Sequence, residues 1–327
     1  MRPFKYIQPE SIHEALAGVS QSGAQVIAGG SDLLSEIKDG TASPDILVGL
    51  SRIPNMKGIT SSEDRISIGS MTTISEIADN NDIRENYTAL AEAAAGLATP
   101  QIRNVGTLGG NLNQRPRCFY YRNPLTQCLK KGGDKCFAVS GHNKYMCITG
   151  GHRCYITHPS DTGVALSVFG AQIEVTGTEG VRLLPIDQFF VGPSEDILRE
   201  TVLKRDEIVT AVHLDRVKTT GLMMSTYVKA REREGGDFAL ASVAATFTIV
   251  EGIIESACVA IGGVAPLPYR SVNVENYLTG NAVSAVNVEY ASSLTISDPK
   301  PMSDNEYKIF LANNLVKKAL TQLLEDS

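Results

Sequence analysis

The sequence lacks any long apolar run. No apolar stretch among its 327 residues approaches the roughly 20 residues that a membrane-spanning helix needs. Polar residues such as Gln8 and Glu10 stand where a signal peptide would continue with an apolar core, so none is predicted. The simplest interpretation is a cytoplasmic protein without a membrane span. A periplasmic location would require export together with a partner that carries the signal.

An excess of positive charge and the common catalytic motifs are also missing. The formal net charge is −6 at pH 7, and the basic residues concentrate in one segment, which argues against nucleic acid as a partner. No Gly-x-Ser-x-Gly elbow, His-Glu-x-x-His helix or paired nucleophile and base occurs. Neither a Gly-x-Gly-x-x-Gly fingerprint nor a Walker loop is present, so neither a Rossmann nor a P-loop fold is indicated.

The composition is that of an ordinary globular chain with room for two domains. Hydrophobic residues make up 43% of it and charged residues 20%, and no internal repeat or low-complexity tract occurs. Helix and strand patterns alternate up to about Leu214, whereas strands dominate after Gly221 until helices close the chain. We therefore predict an α+β protein with domains at residues 1–217 and 218–327.

Local signals place several elements. Residues 11–14 predict a capping box that opens a helix. The alanine-rich residues 86–97 predict one continuous helix, and residues 159–161 predict the start of another. A run rich in apolar and β-branched residues predicts a strand over 241–250, and the periodicity predicts a closing helix over 305–324.

Five of the six cysteines are crowded into one stretch. Successive members lie 10, 8, 11 and 7 residues apart, and no secretory signal precedes them, so a metal or iron–sulfur site is favoured over disulfides. Zinc ribbons use paired C-x2-4-C knuckles, whereas wide and uneven spacing suits a cluster wrapped by an irregular loop. Four ligands suffice for either kind of site, so one cysteine is spare. The five are Cys118, Cys128, Cys136, Cys147 and Cys154.

The charge of this stretch points in the same direction. Eight basic residues and one acidic residue, Asp134, lie within residues 115–153, which gives a local net charge of +7 in a chain whose total is −6. Four thiolates around an oxidised 4Fe–4S core leave roughly two negative charges, which nearby cations and N–H donors stabilise. We therefore favour an iron–sulfur cluster. A zinc site and a solvated basic loop with incidental cysteines are the alternatives.

Two glycine-rich loops share a design suited to a phosphorylated cofactor. They are Ala28-Gly29-Gly30-Ser31-Asp32 and Gly106-Thr107-Leu108-Gly109-Gly110-Asn111. Paired glycines allow consecutive backbone N–H groups to converge on a pyrophosphate without obstruction by Cβ atoms. Ser31, Thr107 and Asn111 can add side-chain hydrogen bonds to phosphate or ribityl oxygens. A single Gly-Gly pair is most often only a turn, but two such loops, the second leading into the cysteines, favour a cofactor cradle.

With these residues in view, the chain resembles the flavin subunits of the xanthine dehydrogenase and molybdenum hydroxylase family, essentially from end to end. Residues 28–34 are similar to the family's first FAD-diphosphate motif, and residues 101–112 are similar to its second. Residues 229–245 and 261–266 resemble its C-terminal domain. The resemblance implies an FAD domain of two subdomains, like that of vanillyl-alcohol oxidase, followed by an α+β domain with an antiparallel sheet, like that of CO dehydrogenase flavoproteins.

The cysteine stretch resembles an insertion, at about residues 114–158, that most members of the family do not have. It is similar to the insertion of 4-hydroxybenzoyl-CoA reductase β subunits and bacterial aldehyde oxidoreductase flavin subunits, which hold an extra 4Fe–4S cluster there. In that pattern the last ligand lies seven residues before the helix-start aspartate, as Cys154 lies before Asp161. The resemblance therefore implies Cys118, Cys128, Cys136 and Cys154 as ligands, with Cys147 as the substitute.

The resemblance also implies the residues that contact FAD. Cations at Lys229 and Arg233 resemble family residues near the flavin, where they would favour electron density on the reduced ring; a solvated face is the alternative for both. Leu203 can pack against the ring edge, unless it is an ordinary core leucine. No catalytic residue is predicted, because the role is electron transfer. The implied contacts are Ala28, Gly29, Gly30, Ser31, Asp32, Leu33, Thr107, Gly109, Gly110, Asn111, Ser160, Asp161, Leu203 and Lys229.

The function that the resemblance implies is that of an oxidoreductase subunit. Its implied partners are a large subunit with the molybdenum cofactor and a small subunit with 2Fe–2S clusters, in a dimer of heterotrimers. FAD and a 4Fe–4S cluster in this chain would connect them to an external carrier such as ferredoxin or a quinone. One alternative is a reductase that runs in the opposite direction with ferredoxin as the donor. Others are a zinc-stapled scaffold without redox activity and a free-standing flavin oxidase.

Overall fold

The computed structural model of the chain describes residues 2–216 and 221–325. The predicted domain boundary between residues 217 and 218 lies outside this part of the chain. The described residues form three sheets with helices packed on them, which confirms the predicted α+β class. None of the helices in these two ranges is both long and apolar enough to cross a bilayer.

The first subdomain is a small parallel sheet with two helices. In chain order its elements are β1 (Lys5–Ile7), α1 (Ile12–Val19), β2 (Ala24–Ile27), α2 (Leu33–Asp39) and β3 (Ile46–Gly49). The strand order is β1-β3-β2, and Val48 of the central strand is buried together with Val19 of α1. The Ser11 hydroxyl accepts the N–H of Glu14 as predicted. The Glu14 carboxylate bonds the N–H of Glu10 instead of that of Ser11, so the capping box is half formed.

The second subdomain is built on a five-stranded antiparallel sheet with the order β4-β5-β8-β6-β7. Its elements are β4 (Ile59–Ser61), β5 (Arg65–Gly69), α3 (Ile74–Asp79), α4 (Asn81–Asn86), α5 (Thr88–Ala95), α6 (Pro100–Arg103), α7 (Leu108–Leu112), α8 (Phe119–Arg122), α9 (Asp161–Val168), β6 (Gln172–Gly177), β7 (Gly180–Pro185) and β8 (Glu207–Asp215). The alternating residues Ile66 and Ile68 of β5 and Ile173 of β6 are fully buried in its core. This period of two is what a sheet with one buried face requires.

The predicted helix over residues 86–97 is confirmed as α5, two residues shorter at each end, and the chain leaves the helical conformation at Tyr87. α4 ends at Asn86 and α5 begins at Thr88, because Tyr87 takes a non-helical backbone (φ −137°, ψ 50°). Its buried side chain donates a hydrogen bond to the carbonyl oxygen of Asp215 (3.1 Å), and its ring packs edge-on against Phe169. These contacts set the start of α5, in which the alanine-rich residues are helical as predicted.

The C-terminal domain is a four-stranded antiparallel sheet, ordered β12-β11-β10-β9, with helices after it. Its elements are β9 (Leu222–Ala230), β10 (Ala241–Val250), β11 (Ile253–Gly262), β12 (Tyr269–Arg270), α10 (Val272–Leu278), α11 (Val288–Ser293) and α12 (Tyr307–Glu325). β10 has the predicted bounds. α12 begins two residues later than predicted, because the Asn305 side chain bonds the carbonyl oxygens of Met146 and Cys147 and the N–H of Met302.

Helix α9 joins the two halves of the molecule. It packs against α5 of the second subdomain and against β10 and β11 of the C-terminal domain, and all eight of its residues are buried. The Ser160 hydroxyl caps it by accepting the N–H of Gly163 (2.9 Å), as residues 159–161 predicted. Asp161 is thereby held at the junction of the domains.

Candidate cofactor cavity and cysteine pocket

A cavity of about 770 Å³ lies where the two subdomains meet the C-terminal domain. Its size falls within the roughly 300–1,000 Å³ of sites that hold small molecules and cofactors. Both predicted glycine loops line it, and we call residues 28–32 and 106–111 together the glycine cradle. Strand β8 and Lys229 of β9 line other parts of it.

The two loops of the glycine cradle touch each other at Gly29. A Cβ atom on this residue would lie 1.8 Å from the carbonyl oxygen of Val105 and 3.2 Å from the Cα atom of Gly106. Gly30 has a φ of +74°, a left-handed conformation that favours glycine. Gly29 therefore lets one loop lie directly against the other, and Gly30 supplies the left-handed backbone conformation beside it.

Side-chain hydrogen bonds hold the second loop in shape. Thr107 caps α7, since its Oγ1 accepts the N–H of Gly110 (3.2 Å). The Oδ1 atom of Asn111 accepts hydrogen bonds from the hydroxyls of Ser160 and Thr162, both at 2.6 Å. The Thr107 hydroxyl thus builds the loop, while the Asn111 amide is oriented by the start of α9.

A buried ion pair lines the cavity on the side of the C-terminal domain. Lys229 Nζ donates to Asp161 Oδ2 (2.7 Å), and the Tyr227 hydroxyl donates to Asp161 Oδ1 (2.7 Å). Both charged side chains are 7% exposed. Burial raises the pKa of Tyr227 well above its ordinary value, so its hydroxyl stays a donor to the carboxylate. The positive charge of Lys229 is therefore balanced within the protein.

Most of the predicted FAD contacts are brought together in this cavity. Ser160 lies behind it, where its hydroxyl caps α9 and bonds Asn111. Arg233 lies outside it, with a side chain that is 80% exposed and bonded twice to Asp237. The predicted residues that line the cavity are Ala28, Gly29, Gly30, Ser31, Asp32, Leu33, Thr107, Gly109, Gly110, Asn111, Asp161, Leu203 and Lys229.

Asp32 lines the cavity, yet its carboxylate is bonded to residues 114–158, which we call the cysteine segment. Its Oδ2 accepts the backbone N–H of Arg115 (2.7 Å). Its Oδ1 contacts Arg117 Nη1 (2.9 Å) and Arg122 Nη2 (2.8 Å). In the structure this side chain ties the first glycine loop to the beginning of the cysteine segment.

Several residues of the cavity were not found from the sequence. Ser70, Arg117, Tyr121 and Phe238 all line it. The guanidinium of Arg117 lies over the ring of Phe238, 4.5 Å from its centroid. The Arg-Pro-Arg run directly after the second glycine loop is a usable signal, because cations beside such a loop suit a phosphate. Phe238, which comes from a different domain, has no comparable signal.

Two polar atoms around the cavity have no protein partner. Ser70 Oγ and Arg117 Nε are buried and make no hydrogen bond within residues 2–216 and 221–325. Buried polar groups are normally satisfied, so these two point to a ligand with acceptor atoms. A hydroxyl and a guanidinium N–H suit phosphate, hydroxyl and carbonyl oxygens. Together with the bare backbone of the glycine cradle, they fit an extended phosphorylated cofactor such as FAD.

A second and much smaller pocket lies beside the cavity. Four cysteines line it, namely Cys118, Cys128, Cys136 and Cys154. Cys147 is buried outside its lining, where its backbone N–H bonds the carbonyl oxygen of Tyr155 (3.0 Å). As they stand, no three His, Cys, Asp or Glu side chains of the described residues are arranged to hold a metal ion.

Burial determines the electrostatics of this cysteine pocket. It raises the pKa of Cys118 to about 12 and that of Cys154 to about 11, so both are thiols at neutral pH. Lys130 also lines the pocket, is buried, and pairs with Glu200. Four sulfur donors beside a buried cation suit a thiolate-bound iron–sulfur cluster or a zinc ion. Either would have to replace the thiol protons.

Two protein-family models match the chain, and between them they cover nearly all of it. Residues 2–215 match the FAD binding domain in molybdopterin dehydrogenase. Residues 225–323 match the CO dehydrogenase flavoprotein C-terminal domain. Residues 216–224 separate the two matches, close to where the sequence changes from alternating helix and strand patterns to mainly strand patterns.

Known proteins of the same length are similar to the whole chain. The aldehyde oxidoreductase FAD-binding subunit PaoB of Escherichia coli K12 is 30% identical, over 98% of this chain and 98% of PaoB. The carbon monoxide dehydrogenase medium chain of Hydrogenophaga pseudoflava is 28% identical, over 97% of this chain and 96% of its own length. A solved structure of carbon monoxide dehydrogenase from that organism superimposes with a TM-score of 0.77 at 26% identity, over 98% of both chains.

Proposed function

Since the chain belongs to the FAD-binding medium subunits of the xanthine dehydrogenase and CO dehydrogenase family of molybdenum hydroxylases, we propose that it is an electron-relay subunit. The cavity binds FAD, and the thiolates of Cys118, Cys128, Cys136 and Cys154 hold a 4Fe–4S cluster. These groups supply the redox chemistry when bound, while the chain positions them and sets their surroundings. Electrons pass between the 2Fe–2S clusters of a partner subunit and an external carrier.

The cavity is the observation that carries the proposal. It combines two glycine loops packed together at Gly29 with the unpartnered Ser70 Oγ and Arg117 Nε, and these two polar atoms are suited to a phosphorylated ligand. The Asp161 carboxylate and Lys229 ammonium lie in the same cavity, so they would orient polar atoms of that ligand. In this proposal the predicted residues of both glycine loops contact FAD, and Ser160 supports them by its hydrogen bond to Asn111.

The grouping of the cysteines supports the second cofactor. Four thiols line one pocket next to the buried ammonium of Lys130, whose charge would offset that of a thiolate cluster. Cys147 lies outside the lining of this pocket, which favours Cys154 as the fourth ligand. A zinc ion in the same pocket is the alternative, and it would leave the chain a structural subunit.

The relatives support the proposed partners. One is an FAD-binding subunit and another a medium chain, and both names imply further subunits. We therefore place this chain with a large subunit that carries the molybdenum cofactor and a small 2Fe–2S subunit, as a dimer of heterotrimers. Ferredoxin or a quinone would exchange electrons with the cluster of this chain. The alternative is a reductase in which electrons flow in the opposite direction, from ferredoxin as donor, through the same subunits and cofactors.

The proposal is tested by the cofactor content of the full chain, purified without oxygen. We expect flavin absorption bands above a broad iron–sulfur shoulder, with about one FAD and about four iron atoms per chain. Colourless protein with stoichiometric zinc would support the structural alternative and refute the relay. Oxygen-dependent turnover of an organic substrate by the chain alone would indicate a free-standing oxidase.

A set of matched cysteine variants tests the ligand assignment. Cys154→Ser should lose most of the iron, because it removes a thiolate from the pocket. Cys147→Ser and Cys258→Ser should keep it, since neither side chain lines the pocket. Iron and acid-labile sulfide per chain are the measurements. If Cys147→Ser loses iron while Cys154→Ser retains it, Cys147 is the fourth ligand.

A further inference from the structure

Tyr121 stands between the two proposed cofactor sites. Among the described residues it is the one that lines both the large cavity and the cysteine pocket. Its neighbour Tyr120 lines the cysteine pocket alone. Tyr121 is buried on the short helix α8, which begins directly after Cys118. One aromatic ring is therefore a shared wall of the two sites.

The hydroxyl of Tyr121 is bonded on both sides. It donates to the buried Oε1 of Glu36 (2.7 Å) and accepts from Arg115 Nε (3.0 Å). The guanidinium groups of Arg115 and Arg122 lie 5.2 and 5.7 Å from the centroid of its ring. Hydrogen bonds and ring contacts together leave Tyr121 one position that satisfies all of its partners.

These partners belong to the wall of the cavity. Glu36 is on α2, directly after the first glycine loop, and both Glu36 and Arg115 line the cavity. The backbone N–H of Arg115 also bonds Asp32 in that loop. A displacement of Tyr121 would therefore move groups on which the glycine cradle depends.

Glu200 makes a second connection, between Arg115 in the wall of the cavity and Lys130 in the cysteine pocket. Its Oε2 contacts Arg115 Nη1 (2.9 Å), while its Oε1 pairs with Lys130 in the cysteine pocket. Lys130 Nζ also donates to the carbonyl oxygen of Ile197 (2.6 Å). Hydrogen bonds and ion pairs thus connect the two sites continuously, and they converge on Tyr121 and Arg115.

We propose that Tyr121 is a positioning residue that couples the two sites, so that a filled cysteine pocket increases the affinity of the cavity for FAD. The ligand Cys118, directly before α8, and the other thiolates of the pocket hold the Tyr121 ring, and the hydroxyl holds Glu36 and Arg115 in the wall of the cavity. The coupling rests on the proposed function, because it needs both groups to bind. Since coupling free energies are reciprocal, FAD also strengthens retention of the cluster.

The test compares FAD affinity in two states of the same full-length chain. Iron is removed anaerobically with a chelator, half of the sample is reconstituted with iron and sulfide, and both are titrated with FAD by flavin fluorescence. The measured quantity is the ratio of the two dissociation constants. We expect the depleted wild-type chain to bind FAD about tenfold more weakly than the reconstituted one, within the usual range of such couplings.

Two tyrosine variants assign the coupling to one hydroxyl. Tyr121→Phe keeps the ring but loses the bonds to Glu36 and Arg115, so its ratio should fall below about 2. Tyr120→Phe makes the same change one residue away, in the cysteine pocket only, and should keep the wild-type ratio. A general loss of stability would weaken FAD binding in both states equally and leave the ratio unchanged.

The outcomes separate this inference from the proposed function. A wild-type ratio near one, or a full ratio in Tyr121→Phe, overturns the coupling although both cofactors bind. A reduced ratio in Tyr120→Phe equal to that in Tyr121→Phe also overturns it, because the effect would then not pass through the shared wall. Failure of the wild-type chain to take up FAD or iron refutes the proposed function, and the coupling with it.

Discussion

The glycine cradle and the cysteine segment share a wall, yet different contacts hold them on the two sides of that wall. Main-chain hydrogen bonds fix the cradle: Leu108 N–H bonds Thr72 O (2.9 Å), and Gly109 N–H bonds Ser70 O (2.8 Å). The cysteine segment contains α8 and two short 3-10 turns, and charged side chains attach its first half to the rest of the protein. Main-chain hydrogen bonds attach its end, where the N–H groups of Ile148 and His158 bond the carbonyl oxygens of Val264 and Ala265, both at 2.8 Å. Main-chain contacts therefore shape the cradle, whereas the first half of the cysteine segment, next to the cradle, depends on side chains.

This difference bears on how each site meets its ligand. The cradle is complete without a cofactor, because glycine contacts and loop hydrogen bonds already determine its form. In the cysteine segment the polar side chains are paired with outer neighbours such as Asp32 and Glu200, and the interior is left to thiols whose pKa burial raises. Binding a metal there exchanges protons for cations, so we expect the segment to be stabilised by its ligand far more than the cradle is.

Replacing Gly29 with alanine should break the cradle and produce the largest effect. The new Cβ would lie 1.8 Å from the Val105 carbonyl oxygen, a backbone atom that cannot swing away, so the two loops must separate. We expect FAD affinity to fall at least about a hundredfold, or about 2.7 kcal/mol. Fluorescence titration measures this, and iron retention should weaken by no more than the roughly tenfold coupling between the two sites.

Gly132→Ala is the matched control within the cysteine segment. A Cβ atom there has no neighbour within 4 Å, although φ is +82°. The cost should therefore be confined to local strain of about 1 kcal/mol, with FAD affinity unchanged. Wild-type FAD affinity in Gly29→Ala would show that the cradle is not the FAD site.

The same contrast explains what could be predicted from the sequence. The cap at Ser160, the strand β10 and both loops of the cradle follow from local patterns, because each is determined by residues close together in the chain. The bond from Arg122 to Asp32 joins residues 90 positions apart, and no local pattern encodes it. Nor does the sequence distinguish Tyr121, which faces both sites, from Tyr120. Contacts between residues far apart in the sequence position the cysteine segment, and such contacts could not be predicted from local sequence patterns.

Asp32→Asn tests the link between the first glycine loop and the cysteine segment, and its expected effect on stability is intermediate. It removes the charge that pairs with the guanidinium groups of Arg117 and Arg122, and breaking a buried pair costs about 3–5 kcal/mol. The Asp32 side chain is 16% exposed and an amide keeps some of the bonds, so we expect a loss of about 2 kcal/mol in the free energy of unfolding. Urea denaturation of the chain without cofactors measures it.

The control for this change is an exposed ion pair. Asp298 bonds Lys300 at 3.0 Å, but the two side chains are 78% and 80% exposed, so Asp298→Asn should cost less than about 1 kcal/mol. Equal effects of the two substitutions would mean that the arginines do not depend on Asp32, and that the first glycine loop and the cysteine segment are held independently.

The last comparison concerns His158 and tests how stably the end of the cysteine segment is packed. The backbone N–H of His158 donates to the carbonyl oxygen of Ala265 (2.8 Å), and the imidazole ring packs edge-on against Phe190. Complete burial lowers the pKa of His158 to about 3 from an ordinary 6.5. Between these values the unfolded chain binds a proton that the folded chain does not. The contribution of His158 is therefore full above pH 6.5 and is lost as the pH falls toward 3.

We expect the free energy of unfolding to fall, through His158, by up to about 1.4 kcal/mol per pH unit between pH 6 and pH 4. His158→Phe keeps an aromatic ring against Phe190 but cannot take up a proton, so its stability should depend less on pH in this window. His142→Phe changes a side chain that is 94% exposed and should leave the slope as in the wild type. If the free energy of unfolding depends equally on pH in all three proteins, the cysteine segment opens locally and His158 takes up its proton before the chain unfolds. The cysteine segment would then be held even more loosely, relative to the cradle, than its contacts indicate.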